Sequence, residues 1–384
     1  MSILSTLRNS DRIYCYIRRH KYGLGELLKK EARLGRCNLT SEQKQLVRKA
    51  WPGFAISHAT ERFIGMYNQF RPKNAPWSPY YIPDTLSHII IDPSYNDYLV
   101  SRITDDKNMY DLYFHGYNQP RTIVRKVNGI LLDKDYNIID MNFAEKFIRQ
   151  VDGAVYKPSV ITNSGEGIAV WRKDDPTDDF LELLKKSRNC IIQELVKQHV
   201  MMSHLHRGSV NTIRILTWAK KNEVVILSAV VRIGSNGSFL DNYHAGGITC
   251  GIQDDGRLNK YAYNAKCEQF EQHPQGAVFA DCIIPNYDKV KEFVKELSPR
   301  IANMSKMVAW DIAIDEAGKP LLIEVNLDYT TVDLLQINNG PLFGEYFSEM
   351  IAEVSSKQAI KKKSLIFRFI EPIQLCLMSK RLSR

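Results

Sequence analysis

Two carboxylates and an amide in residues 310–326 carry the clearest chemistry in this sequence. In Trp310-Asp-Ile-Ala-Ile-Asp315, strand alternation turns Asp311, Ala313 and Asp315 one way and Trp310, Ile312 and Ile314 the other. In Leu322-Ile-Glu-Val-Asn326, the residues Leu322, Glu324 and Asn326 share a face, with Ile323 and Val325 opposite. Ala317-Gly318 supplies the turn between the strands. A hairpin symmetric about that dipeptide sets Asp311 directly opposite Glu324, with Cβ atoms ~5 Å apart. Carboxylates so close repel unless a cation joins them, and Asn326 adds a neutral oxygen on the same face. Hard oxygen donors at this separation suit Mg2+, which takes a compact octahedral shell and shares phosphate oxygens. Asp311, Glu324 and Asn326 are therefore the expected metal ligands. The expectation depends on the turn, because a one-residue slip turns the pairing out of register.

Positioning these residues takes a mixed fold. Residues 11–50 read as helices, and Thr40-Ser-Glu-Gln43 is a capping-box pattern. A Pro-, Asn- and Tyr-rich stretch over 70–97 reads as irregular structure packed on a core. From about Arg121 short strands alternate with turns, clearest at 155–157, 190–195, 210–218, 224–232, 308–314 and 321–325. Helices fall near 180–186, 287–297 and 344–354. The expected class is α+β, and no G-x-G-x-x-G follows a strand as a dinucleotide-binding unit requires.

The composition is that of a globular protein, with 44% apolar and 25% charged residues in 384. Seven cysteines without a C-x-x-C pair argue against a disulfide framework or zinc ribbon and fit a reducing cytoplasm. Nothing reads as a signal peptide or a membrane span. Of the net charge of +9, residues 1–50 contribute +8 and residues 357–384 contribute +7, which leaves 51–356 at −6. A mildly acidic core with basic ends is not the pattern of a nucleic-acid binder. The basic tail, with Leu365, Ile366, Phe367 and Phe369 beside the lysines at 361–363, reads either as a solvated terminus or as a peripheral contact with an anionic membrane.

An Asp on one strand and Glu-x-Asn on the next resemble the ATP-grasp superfamily. The sequence is most similar to the sugar-transfer-associated ATP-grasp proteins encoded near polysaccharide biosynthesis genes, over about 40–354. Tyr81-Ile-Pro-Asp84, Asp106-Lys107-Asn108, Asn211-Thr-Ile-Arg214, Arg232-Ile-Gly234, Asp241-Asn242, Gly246-Gly247 and Trp310-Asp-Ile-Ala313 carry that match by order and spacing. The resemblance implies an ATP-grasp fold, with ATP clamped between two α+β subdomains. It divides the chain into a helical and irregular region at 1–100, a small subdomain at 101–200, a large subdomain at 201–356 and the tail at 357–384.

The same resemblance implies site roles. Lys107 and Lys157 reach the phosphates, Ser164-Gly165-Glu166-Gly167 forms the loop over the triphosphate, and Gln193, Glu194 and Val196 end the strand that holds adenine. Where relatives carry an acid facing the ribose, this chain has the region of Asn211 and Thr212. Where many ligases place an arginine before the metal-binding Asp, it has Ala309, so Arg214 and Arg232 are the candidate catalytic cations. In an unbulged hairpin turning at 220–223, Asn211 pairs with Arg232 and Arg214 faces away, so both arginines serve one site only if a bulge intervenes. Asp241, Asn242, His244, Gly246 and Gly247 are candidates for the acceptor substrate. His199, His204 and His206 read as structural. The implied cofactors are ATP and Mg2+, two ions in the family pattern. The implied activity is a cytoplasmic, ADP-forming carboxylate–amine ligase acting through an acylphosphate and joining an amine or amino acid to a hexuronic acid of a surface or capsular glycan, with the inner face of the membrane as the alternative location. A sugar kinase and a non-catalytic ATP-binding module are the alternatives.

Overall fold

Helix signals dominate the beginning of the chain. The computed structural model describes residues 3–72, 74–97, 106–160, 167–235, 246–327, 330–356, 371 and 374, with side chains from Ile17 onward. By compactness the chain divides into one unit of residues 1–97, 266–268 and 328–384 and a second of 98–265 and 269–327.

In the first unit α1 (Ile3–Leu34) is followed by α2 (Ser41–Ala50) and α3 (His58–Tyr67). The capping box forms as the sequence predicts: Gln43 N–H donates to the Thr40 hydroxyl at 3.2 Å, and Thr40 N–H donates to the Gln43 amide oxygen at 2.9 Å. Residues 70–97 depart from the irregular expectation, since 84–95 form a buried helical run. Its middle, Ser87–Ile91, widens to a π turn immediately before Asp92-Pro93. Pro93 has no N–H and crowds the preceding turn, and a wider turn accommodates it. That proline made the segment look unhelical.

The second unit holds two antiparallel sheets. The first is built from β1 (Thr122–Val127), β2 (Ile130–Asp133), β3 (Gly153–Pro158), β4 (Ala169–Arg172) and β5 (Cys190–Glu194), in the order β2-β1-β5-β3-β4. The helices α4 (Met141–Arg149) and α5 (Asp178–Lys186) cover it through Ala144, Ile148, Phe180 and Leu184. Buried Lys126 donates to the Leu184 and Lys185 carbonyls, both at 2.9 Å, so a cation satisfies the open end of α5. After the short α6 (Val200–Leu205), the larger sheet uses β6 (Thr212–Ala219), β7 (Val224–Ile233), β8 (Ile248–Ile252), β9 (Leu258–Asn264) and β10 (Gln269–Phe270). Then α7 (Tyr287–Ile301) leads into β11 (Met307–Ile314) and β12 (Pro320–Asn326), and the order is β10-β9-β8-β7-β6-β11-β12. Val290, Val294, Leu297 and Ile301 form the helical stripe of α7 that joins Ile213, Val231 and Trp310 in the core. Trp310 is fully buried, and its indole N–H donates to the Thr217 hydroxyl at 2.8 Å.

Past Leu327 the chain returns to the first unit with α8 (Val332–Asn339) and α9 (Phe347–Ser356). Glu371 accepts from Ala59 N–H at 2.9 Å and from the Ser57 hydroxyl at 2.7 Å, capping the start of α3. The lysines at 361–363, Leu365, Ile366, Phe367 and Phe369 lie outside the described residues. No helix among the described residues is long and apolar enough to cross a membrane.

Candidate active site

Two β-bulges build the site. The turn between β11 and β12 is not symmetric about Ala317-Gly318. Asp315 N–H donates to the Lys319 carbonyl at 3.0 Å, which leaves a three-residue loop, and Gly318 takes the left-handed φ of +78°. Near the turn Ile314 therefore pairs with Pro320 and Ile312 with Leu322, one residue off the symmetric register. An extra residue, Ile323, restores it, and Asp311 does lie opposite Glu324. The bulge also corrects a face assignment: Leu322 belongs to the core with Val325 instead of sharing the face of Glu324.

The second bulge lies in β7. Trp218 pairs with Val225 and Thr217 with Ile226, but Leu216 pairs with Ser228, which makes Leu227 the extra residue. Arg232 consequently lies opposite Thr212 rather than Asn211. Thr212 and Arg214 are two apart on one strand, so both arginines project from one face. Arg214 is also the direct cross-strand neighbour of Asp311.

At Asp311 these strands meet. Arg214 donates Nε–H to Oδ1 at 2.5 Å and Nη2–H to Oδ2 at 2.8 Å, a bidentate fork. Arg232 Nη1 donates to Oδ2 at 2.9 Å, and Asn326 Nδ2 to the same oxygen at 3.3 Å. Burial raises the Asp311 carboxyl, but Arg214 and then Arg232 outweigh it, and the net shift is below the ordinary value. Glu324 follows the same pattern. Burial raises it most and the Asp311 charge adds to that, but the charge and hydrogen bond of Lys107 together with the Arg214 charge leave the net shift below the ordinary value. Lys107 Nζ lies 2.8 Å from Glu324 Oε1.

Lys157, at the end of β3, donates to the Gln193 amide oxygen at 3.1 Å. Desolvation, then the Lys107 charge, push its ammonium down to about 8 from an ordinary 10.5, while Glu324 pulls upward. Four cations, Lys107, Lys157, Arg214 and Arg232, thus accompany two carboxylates, an excess of two positive charges when both lysines are protonated. A polyphosphate complements that excess. The depressed lysine has a pH consequence. In the ligand-free protein its proton leaves near pH 8, whereas the unfolded chain keeps it to about 10.5. The unfolded state therefore binds more protons in that window, and ligand-free stability rises with pH across it. A phosphate ligand favours the charged form, so affinity for Mg-ATP should fall above pH 8 and binding at pH 8.5 should take up a proton. Calorimetry in two buffers of different ionisation enthalpy measures this, and equal heats would exclude Lys157 as the phosphate contact.

β12 is an edge strand, and Tyr110 holds its outer side. The Tyr110 hydroxyl accepts from Val325 N–H at 3.1 Å and donates to the Val325 carbonyl at 3.4 Å, between Glu324 and Asn326. Sequence alone offered no sign of this role, because a tyrosine three residues past Lys107 resembles any core aromatic.

The donor set fits a magnesium ion. Among the described hydrogen bonds Glu324 Oε2 accepts none, and Asn326 uses only its Nδ2, toward Ala309 O and Asp311. In the described contacts Asp311 Oδ1 takes one guanidinium N–H, whereas Oδ2 takes three donors. Hard oxygens therefore remain on all three residues.

The other expected site residues are placed less centrally. Glu194 is held in a fork by Arg121, with Nε at 2.7 Å from Oε2 and Nη2 on Oε1, and Val196 lies half-buried beyond the end of β5. Gln193, expected at adenine, is joined to Lys157. The Asn211 amide donates to the Met202 and His206 carbonyls, both at 2.8 Å, so its donors are committed within the fold. His199 caps α6 through Met201 N–H, and buried His206 bonds the Ser209 hydroxyl at 2.8 Å. No cluster of three metal-binding side chains of the His, Cys, Asp and Glu types occurs among the described residues. Gly167 takes φ +77° and Gly246 φ +98°, and the Gly246 carbonyl accepts from the Ser235 hydroxyl at 2.5 Å. Gly247 is buried just before β8, the strand whose Thr249 pairs with Arg232. Ser164, Gly165, Glu166, Asp241, Asn242 and His244 lie outside the described residues.

Two antiparallel sheets, one carrying lysines and the other a carboxylate hairpin, make this an α+β protein with the ATP-grasp fold. The model of the sugar-transfer associated ATP-grasp family matches residues 90–346, and the chain belongs to that family. Among solved structures it is similar to the ATP-grasp ligase PsnB complexed with a phosphomimetic variant of its minimal precursor, Mg and ADP, at 14% identity and a TM-score of 0.40, over 68% of this chain and 61% of that one. An L-amino acid ligase from Bacillus licheniformis is similar at 12% identity and a TM-score of 0.40, over 67% of this chain and 49% of that one. D-alanyl-alanine synthetase A from Vibrio cholerae O1 biovar eltor is similar at 14% identity and a TM-score of 0.38, over 69% and 64%. The match thus spans less than two thirds of each of these three chains. No curated protein matches the sequence.

Proposed function

We propose that this protein is an ADP-forming ligase that uses Mg-ATP to activate a carboxylate and transfers the acyl group to an amine. The observation that supports the reading most is the convergence of Lys107, Lys157, Arg214 and Arg232 on the Asp311–Glu324–Asn326 hairpin. Asp311, Glu324 and Asn326 would hold Mg2+, which supplies charge neutralisation on the phosphate oxygens when bound. Lys107 and Lys157 orient the triphosphate. A substrate carboxylate oxygen attacks the γ-phosphorus, the bond to the β–γ bridging oxygen breaks, and ADP leaves. Arg214 and Arg232 stabilise the charge that builds on the acylphosphate. The amine nitrogen then attacks the acyl carbon, the bond to phosphate breaks, and the nitrogen gives up a proton. Ser164, Gly165, Glu166 and Gly167 cover the phosphates in this reading, while Asp241, Asn242, Gly246 and Gly247 meet the acceptor.

Family membership supports a glycan-directed substrate, and we assign a hexuronic acid as the carboxylate. Release of ADP and phosphate from Mg-ATP, measured across paired uronic acids and amines, tests the proposal. Release that requires both members of a pair is expected. Release with a sugar alone and a stable phosphorylated product would replace the ligase by a kinase. No release with any pair would favour a binding module.

A further inference from the structure

Lys107 reaches Glu324 from a segment that cannot hold itself. It opens a 3-10 turn, Lys107–Met109, that is capped by the Asp106 side chain on Asn108 N–H at 3.0 Å and runs into one helical turn, Tyr110–Tyr113. So short a turn has little stability of its own and takes its geometry from neighbours. One tie is Lys107 N–H to the Ser159 carbonyl at 3.0 Å, two residues past Lys157. Another is the carbonyl of the next residue. Asn108 O accepts from Arg125 Nη1 at 2.9 Å and from the Tyr136 hydroxyl at 2.9 Å.

Arg125 is fully buried on β1, and its partners gather around this turn. Nη2 donates to the Asp111 carboxylate and, at 3.2 Å, to the Lys134 carbonyl. The guanidinium lies 4.0 Å from the centre of the Tyr136 ring. Tyr136 takes a left-handed φ of +65°, a conformation costly for a residue with a side chain. That strained backbone is what lays its ring on Arg125 and its hydroxyl on Asn108 O. A buried guanidinium carries five donors, more than one carboxylate can take, so where its remaining donors go is informative. Here the charge, the strained tyrosine and two donors converge on one carbonyl beside the lysine.

We propose that Arg125 and Tyr136 are positioning residues that fix Lys107 for the nucleotide phosphates through the Asn108 carbonyl. The inference rests on the ATP-dependent reading above. Tyr136→Phe tests it with little disturbance, since the ring stays over Arg125 and one partly exposed hydroxyl is lost. Its melting temperature should fall by no more than the few degrees that one hydrogen bond is worth, while affinity for Mg-ATP falls about three- to tenfold. Arg125→Lys, which keeps charge without the fork, should lose more. A second readout separates positioning from general loosening. The Lys107 charge helps depress Lys157, so a displaced Lys107 moves the alkaline midpoint of nucleotide binding upward, as Lys107→Met would. Wild-type binding with unchanged affinity and midpoint in Tyr136→Phe would overturn the inference alone. A wild type with no affinity for Mg-ATP would overturn the ligase proposal and this inference with it.

Discussion

Asp311→Asn should slow turnover about a hundredfold and destabilise the protein together. The Asp311 carboxylate is 2% exposed and receives both guanidinium groups directly. Removing its charge takes the common counterion from two buried or nearly buried arginines. Breaking a buried ion pair from one side costs roughly 3–5 kcal/mol, because the remaining charge stays desolvated. In the proposed reading the variant also loses an oxygen that would hold the metal, and a loss of about 3 kcal/mol in transition-state stabilisation slows turnover ~10²-fold. Thermal unfolding and single-turnover phosphate release measure the two effects. A variant melting like the wild type would show that Arg214 and Arg232 do not depend on Asp311. Turnover like the wild type's at the same magnesium concentration would remove Asp311 from the reaction and leave it a structural role.

Glu324→Gln separates metal from nucleotide. Glu324 is half-buried, and its main described contact is Lys107. Its loss raises the cationic excess of the site, so metal-free ATP should bind at least as well as in the wild type. The magnesium concentration needed for half-maximal turnover should rise by ~10²-fold, because even partners outside the direct ligands cost 10- to 100-fold in metal affinity. Titrating magnesium at fixed ATP measures the shift. An unchanged magnesium requirement with weaker metal-free ATP binding would make Glu324 a lysine anchor only, and the metal assignment would fail there.

Much of the site was legible because its signals are local. Alternation in Trp310-Asp-Ile-Ala-Ile-Asp315 put Asp311 on the face away from the core, and Ile312 and Ile314 are indeed buried in it. The Thr40 capping box depends on residues three apart, and both of its hydrogen bonds form. The helical run at 84–95 was missed because Pro93 reads as a breaker, and a π turn ahead of it has no sequence mark. Gln193 was expected at adenine as the polar end of an apolar strand. Its pairing with Lys157 comes from the β3–β5 register, which no local pattern reports.

By itself the sequence determined the class of fold and which side chains have the chemistry for phosphate and metal: paired acids, an amide and the cations. Tertiary structure decided which of them meet. Ile323 and Leu227 are apolar residues among apolar residues, and nothing in their types marks them as the ones left over between strands. A bulge is set by competition between two whole strands, by the turn at one end and core packing along the length. In β12 the bulge restores Asp311 opposite Glu324 after a three-residue turn has shifted the register. In β7 it brings Arg232 round to the face of Arg214, and both arginines then reach one carboxylate.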